Sequence, residues 1–144
     1  MTSILFKRLH PKATLPAYAH PGDAGMDLCS CEKALLNPGE RKVIKTGWSI
    51  SLPEGTEAQI RPRSGLALKN GITVLNAPGT IDQGYRGEIG VILVNLGSLP
   101  FSIEPGMRIA QMVIAPVLHV DRISEEDKLP DSERGTGGFG STGL

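Results

Sequence analysis

The sequence predicts an all-β domain of jelly-roll type, and three observations carry that expectation. Short apolar or alternating segments recur about every 8–12 residues, the spacing of strands in a sandwich or barrel. Gly (18) and Pro (11) are frequent and fall between those segments, as in Asn37-Pro38-Gly39, Pro53-Glu54-Gly55 and Glu104-Pro105-Gly106. Such clusters mark tight turns. Only residues 64–69 have a helical look, so there is no strand–helix alternation of the kind that builds a parallel sheet.

Taken in order, residues 4–9 alternate weakly and stop before Pro11, as a first strand. Residues 15–22 are turn-rich. Residues 26–30 form a short strand after Gly22-Asp23-Ala24-Gly25, and residues 33–36 form another, closed by Asn37-Pro38-Gly39. Strands are expected over 43–46 and 48–52, then over 56–61, where Ala58 and Ile60 share a face. Apolar segments at 71–75 and 89–96 flank Asn76 to Glu88, which reads as a hairpin holding Asp82 and Tyr85 at its tip. Residues 87–96 are the most apolar run and suit a central strand. Residues 101–103 and 108–116 follow, with 117–123 as a last candidate strand.

Beyond residue 123 the character changes. Ser124-Glu125-Glu126-Asp127-Lys128 is charged, and residues 135–143 are mostly Gly, Ser and Thr around the single Phe139. This segment cannot bury enough surface to fold alone. The expected organisation is a β domain over 1–123 and a mobile arm over 124–144.

A chain of 144 residues is one domain with room for its own core. Lys+Arg and Asp+Glu both number 15. A formal charge of zero argues against a nucleic-acid or anionic-membrane surface, but not against one small anion held by a few donors. Cys29 and Cys31 have no second Cys or His pair at zinc-site spacing, and they read as buried apolar residues in a reducing compartment. The N-terminus lacks the apolar run of a signal peptide, and no segment reaches the ~20 apolar residues of a membrane span. A soluble cytoplasmic protein is expected.

Several stretches carry chemistry. In Arg61-Pro62-Arg63-Ser64-Gly65-Leu66-Ala67, Arg63 and Ser64 set a cation beside a hydroxyl, and Gly65 permits close backbone approach. A helix starting at Ser64 would add free N–H groups for an anion. The competing reading makes Ser64 an N-cap and Arg63 a surface charge. In the tail, Gly135, Gly137 and Gly140 satisfy G-x-G-x-x-G, but no helix can follow, so this is not a dinucleotide fingerprint. It is a strip with a guanidinium, a ring, two hydroxyls and many N–H groups, suited to closing over a phosphorylated ligand. Asp23 reads as a turn residue. Asp27 is the better metal candidate, acting through water, because two carboxylates alone cannot cage Mg²⁺. Scattered phosphate-binding elements, a poised Asp82 and no Ser–His pair together suit attack by water on a nucleotide phosphate.

At this point the sequence resembles the trimeric deoxyuridine triphosphatases (dUTP diphosphatases). Five ordered motifs carry the resemblance: Ala24-Gly25-Met26-Asp27-Leu28, Pro62-Arg63-Ser64-Gly65-Leu66-Ala67, the run from Gly79 to Glu88, Gly106-Met107-Arg108-Ile109-Ala110-Gln111, and the run from Arg134 to Gly143. The resemblance implies a jelly-roll subunit, a homotrimer, and active sites built from neighbouring chains. It implies hydrolysis of dUTP to dUMP and pyrophosphate, keeping uracil out of DNA and supplying dUMP for thymidylate synthesis.

By the same resemblance, Asp82 directs water at the α-phosphorus. Tyr85 lies under the deoxyribose and excludes a 2′-hydroxyl. Asn76 and the backbone of Gly79, Thr80 and Ile81 read the uracil edge, with a further backbone contact from Gly90. Arg63, Ser64, Gly65 and Gln111 hold the phosphates, with Mg²⁺ across them and Asp27 in its outer shell. The arm brings Arg134 to the γ-phosphate, Phe139 onto the uracil face, and Gly140, Ser141 and Thr142 to phosphate oxygens. Gln83 and Gly84 receive no functional weight. A dCTP deaminase on the same fold and a nucleotide-sensing interaction protein are the alternatives. Ammonia release from dCTP would mark the first, and a partner released by dUTP the second.

Overall fold

The structure is a computed structural model and describes residues 1–143. Its strands are β1 (Leu5–Arg8), β2 (Gly25–Cys29), β3 (Ala34–Leu36), β4 (Arg41–Lys45), β5 (Trp48–Ser51) and β6 (Thr56–Arg61). Helix α1 (Ser64–Asn70) follows, then β7 (Ile72–Val74), β8 (Gly79–Ile81), β9 (Gly90–Asn95), β10 (Phe101–Ile103) and β11 (Arg108–Pro116). The expected all-β jelly roll with one short helix is what forms. A four-stranded sheet, in the order β2-β11-β6-β8, is accompanied by a three-stranded sheet β4-β9-β7 and by the pairs β1-β5 and β10-β3. All these pairings are antiparallel.

Period-two alternation explains the core. On β6, Ala58 and Ile60 point inward; on β11, Ala110 and Met112 do the same; on β9, Val91 and Leu93 meet them with Ile44 and Ile72. One polar side chain is enclosed with them. Asn95 is fully buried, and its amide donates to the carbonyls of Leu36 (2.9 Å) and Leu99 (2.8 Å) while accepting from the Gly97 N–H (2.9 Å). It therefore ties β9 to the ends of β3 and the turn before β10. Asn95→Leu would strand these backbone groups, so a loss of about 2–4 kcal/mol is expected. Urea unfolding of the two proteins measures it.

Two expectations are corrected. Asn76 to Glu88 is not a simple hairpin. Its flanks β7 and β9 do pair, Val74 opposite Leu93, but residues 79–81 leave that sheet and pair as β8 with β6. Residues 117–123 form no strand. After Pro116 no strand among the described residues pairs with this segment, and Leu118, Val120 and Ile123 stay exposed; a strand without a partner leaves its backbone groups unpaired.

Both cysteines are buried free thiols, although Cys31 lies past the end of β2. Burial pushes both thiols up, aided by Asp27 at Cys29 and by Glu88 at Cys31. They are inert packing residues.

Candidate active site

The phosphate-side residues converge on one cleft of ≈ 410 Å³ at the meeting of β2, β11 and the β6–α1 junction. Asp27, Arg63, Ser64, Gly65 and Gln111 all line it. β6 ends at Arg61, Pro62 breaks it, and α1 begins at Ser64. Ser64 is thus the first helical residue and not the cap. Arg63 holds the cap position in extended conformation, and no side chain caps the helix. The first-turn N–H groups have no intrahelical acceptor, which suits an anion.

Arg63 is no free surface charge either. Its Nε lies 3.7 Å from Asp27 Oδ1, and its Nη1 donates to the Arg108 carbonyl at 3.4 Å. Gln111 pairs in register with Asp27 on one side and Arg61 on the other. Its Nε2 donates to the Pro62 carbonyl at 2.9 Å, fixing the side chain against the β6–α1 junction. The Gln111 amide then lies directly over Gly25, where a Cβ would collide with Oε1 and sit 3.1 Å from Gln111 Cβ. A side chain there would push the Gln111 amide out of its place.

Base-side and water-side residues lie elsewhere. β8 is the edge strand of its sheet, so one row of its backbone N–H and C=O groups has no strand partner. Along Gly79, Thr80 and Ile81 the outward-facing groups belong to alternate residues, and Asn76 Nδ2 is 3.3 Å from where a Cβ on Gly79 would be. An amide beside a free strand edge can read the edge of a base. Gly90 begins β9 opposite Lys45, and a Cβ there would come within 2.7 Å of Val43 Cγ1. Packing against Val43 is thus a sufficient reason for that glycine.

Asp82 follows β8 and is exposed in a separate groove of ≈ 360 Å³ with Thr56, Glu57, Thr80 and His119. Its carbonyl accepts from the Tyr85 N–H at 3.1 Å, closing a turn. Tyr85 folds over Gly87, where any Cβ would strike the phenol, and its Oη donates to the Glu88 carbonyl at 3.1 Å. The ring is thereby held in place with part of its surface open.

What holds this loop was missed in the sequence. Gln83 Oε1 accepts from the Gly55 N–H at 2.8 Å and anchors the Asp82 turn to the β5–β6 turn. Arg86 donates to the Gln83 carbonyl at 2.9 Å, and Glu88 Oε2 accepts from the Gly47 N–H at 2.9 Å. Gln83 therefore has a positioning task where none was expected. Arg108, which lines the phosphate cleft beside Asp27, was also missed.

The two halves stand at opposite ends of β6. Ala58 pairs with Ile81, so Asp82 is level with Glu57, six residues before Arg63. At strand rise that is about 20 Å. The arm joins neither half. Arg134 Nε donates to the Gly137 carbonyl (2.8 Å), Ser141 N–H to that of Gly138 (2.6 Å), and Phe139, Gly140, Ser141 and Thr142 are exposed, the ring fully.

A family model described as dUTPase matches residues 11–143. The chain belongs to the dUTPase family. Deoxyuridine 5'-triphosphate nucleotidohydrolase of Alkaliphilus metalliredigens (strain QYMF) is 62% identical over 144 residues, 100% of this chain and 99% of that one. The protein of that name from Clostridium tetani (strain Massachusetts / E88) is 62% identical over 141 residues, 98% of this chain and 97% of the relative. Among solved structures, Staphylococcus bacteriophage 80alpha dUTPase with dUPNHPP superposes with a TM-score of 0.88 at 33% identity, covering 100% of both chains. A mutant dUTPase from phage phi11 of S. aureus, described with a structural Mg(II) ion, gives 0.80 at 27% identity over 88% of this chain and 97% of that one.

A dUTPase-family fold with this donor set cannot cage a metal by itself. Among the described residues no three His, Cys, Asp or Glu side chains cluster, and both Asp27 oxygens face guanidiniums at 3.7 and 3.8 Å. Such a set would suit a divalent cation only where a bound ligand supplied further oxygens. No helix among the described residues is long and apolar enough to cross a membrane.

Proposed function

We propose that this chain hydrolyses dUTP to dUMP and pyrophosphate in active sites shared between copies of itself in a homotrimer. One observation carries the shared-site reading. A phosphate cleft around Arg63 and a water-and-base loop around Asp82 lie about 20 Å apart on one chain, too far for one triphosphate to touch both. Each half is incomplete alone, and juxtaposing the cleft of one copy with the loop of the next completes both.

In that arrangement the free edge of β8 and Asn76 pair with the uracil edge. Cytosine presents a different donor–acceptor pattern and would leave buried groups unpaired, which costs far more than a missing methyl contact. Gly90 adds a backbone contact at the same end of the β7–β9 pair. Tyr85, fixed over Gly87, lies under the deoxyribose where a 2′-hydroxyl would clash. Arg63 and Gln111, with the first-turn N–H groups at Ser64 and Gly65, hold the phosphate oxygens. Mg²⁺ on the phosphate chain would offset its charge and polarise the α-phosphorus, with Asp27 in its outer shell.

Asp82 accepts a proton from the attacking water and aims it in line. A carboxylate is a weak base, so its contribution comes mainly from placement. The arm expected over 124–144, of which Leu144 lies outside the described residues, acts over 124–143 as a mobile element that closes last. Arg134 meets the γ-phosphate, Phe139 covers the uracil, and Gly140, Ser141 and Thr142 contact phosphate oxygens, excluding bulk water.

Pyrophosphate release from dUTP with Mg²⁺ present tests the reaction, and its absence from purified protein overturns it. A mass in solution of three times the 15.3 kDa chain is expected by light scattering. A stable active monomer would remove the shared-site argument.

A further inference from the structure

Arg108 is a charged side chain of the phosphate cleft to which the proposed reaction gives no task. Its position is unusual for β11. Counting back from buried Met112 and Ala110, strict alternation would send residue 108 into the core and 109 toward the cleft. The pairing with β2 instead jumps from Arg108 opposite Cys29 to Ala110 opposite Leu28. Ile109 is the extra residue of a β-bulge, and Ile109 and Ala110 are both buried, at 1% and 0% exposure. The bulge moves Arg108 onto the same face as Gln111. Bulges beside sites commonly re-aim a side chain in this way.

So aimed, Arg108 Nη1 lies 3.8 Å from Asp27 Oδ2. Arg63 Nε lies 3.7 Å from the other oxygen, Oδ1, of the same carboxylate. The main chain of Arg108 takes part as well, its carbonyl accepting from Arg63 Nη1 at 3.4 Å. Asp27 is thus bracketed, one oxygen to each guanidinium. The bracket has two physical consequences. With Oδ2 occupied by Arg108, Oδ1 stays turned to Arg63, so the Arg63 fork keeps one orientation. Asp23 lines the cleft as well, so Arg63 and Arg108 together balance the two carboxylates, whereas Arg63 alone would leave the cleft net negative.

We propose that Arg108 is a positioning residue that acts through Asp27 to hold Arg63 ready for the phosphate chain. The role rests on the dUTP reading given above. It differs from a direct phosphate contact in one measurable respect: it disappears when Asp27 can no longer carry it.

The experiment is a double-mutant cycle on Arg108→Gln and Asp27→Asn. It is read as the Kd of a non-hydrolysable dUTP analogue, by calorimetry in EDTA, with steady-state kinetics beside it. Arg108→Gln is expected to weaken binding about tenfold in the wild-type background and less than about twofold when Asp27 is already Asn. KM should rise about tenfold with kcat changed less than about threefold, the split of a lost binding geometry. Arg108→Lys, which keeps the charge, should recover most of the affinity.

Equal weakening in both backgrounds would make Arg108 a direct phosphate ligand and overturns the positioning role. No weakening in either background overturns it too, as does a drop in thermal midpoint shared by the Gln and Lys variants. Wild-type protein that fails to bind the analogue overturns the dUTP reading itself and this role with it.

Discussion

Asp82→Asn is expected to lower kcat for dUTP by about 10²–10⁴-fold, the range for loss of a positioned general base. Affinity for a non-hydrolysable analogue should change by less than about threefold. The reasoning is local. Asp82 is exposed and makes no side-chain hydrogen bond or ion pair among the described residues, so an isosteric amide disturbs nothing in the fold. The loop around it is held by Gln83, Arg86 and Glu88, none of which needs the carboxylate. What the amide cannot do is accept a proton from water. Single-turnover kinetics with saturating enzyme isolates this step. Wild-type turnover in the variant would take Asp82 out of its role, and a large loss of analogue affinity would recast it as a binding group.

The same loop shows how far sequence reading reached. Alternation and turn chemistry located β6, β11 and α1 to within a residue or so, because those segments carry their own period and punctuation. Asp82 and Tyr85 could be singled out because a carboxylate and a phenol among glycines need a reason. The departure of residues 79–81 to the other sheet was not legible. Three residues, Gly79, Thr80 and Ile81, have no period of their own, and their partner β6 lies about twenty positions earlier in the chain.

Gln83 and Arg108 were passed over for a related cause. The importance of Gln83 lies in one bond to Gly55, 28 residues away, and that of Arg108 in a bulge that reverses its face. Both are properties of pairing register, which a single chain of letters does not display. Residues 117–123 failed in the opposite direction. Their apolar content reads as strand, yet among the described residues no strand pairs with them.

Truncation after Arg134 is expected to leave thermal stability unchanged and to lower kcat/KM for dUTP by about 10²–10³-fold. Stability should not move because the removed segment contributes nothing to the domain. Residues 135–143 are exposed, and their hydrogen bonds run only to near neighbours, such as Gly137 to Arg134 and Ser141 to Gly138. Activity should fall because Phe139 is a fully exposed ring with both faces free to stack on a base. Stacking on a base is worth about 1–3 kcal/mol, or roughly 5- to 150-fold.

Loss of the hydroxyls and N–H groups of residues 140–142 from the phosphate side supplies the rest. The two contributions separate experimentally. Phe139→Trp keeps a stacking face and should retain most activity, while Phe139→Ala should lose only the stacking share. If truncation and Phe139→Ala were equally damaging, the arm would act through the ring alone. Full activity of the truncated protein would show that the site closes without it, and the shared cleft and loop would then have to exclude water unaided.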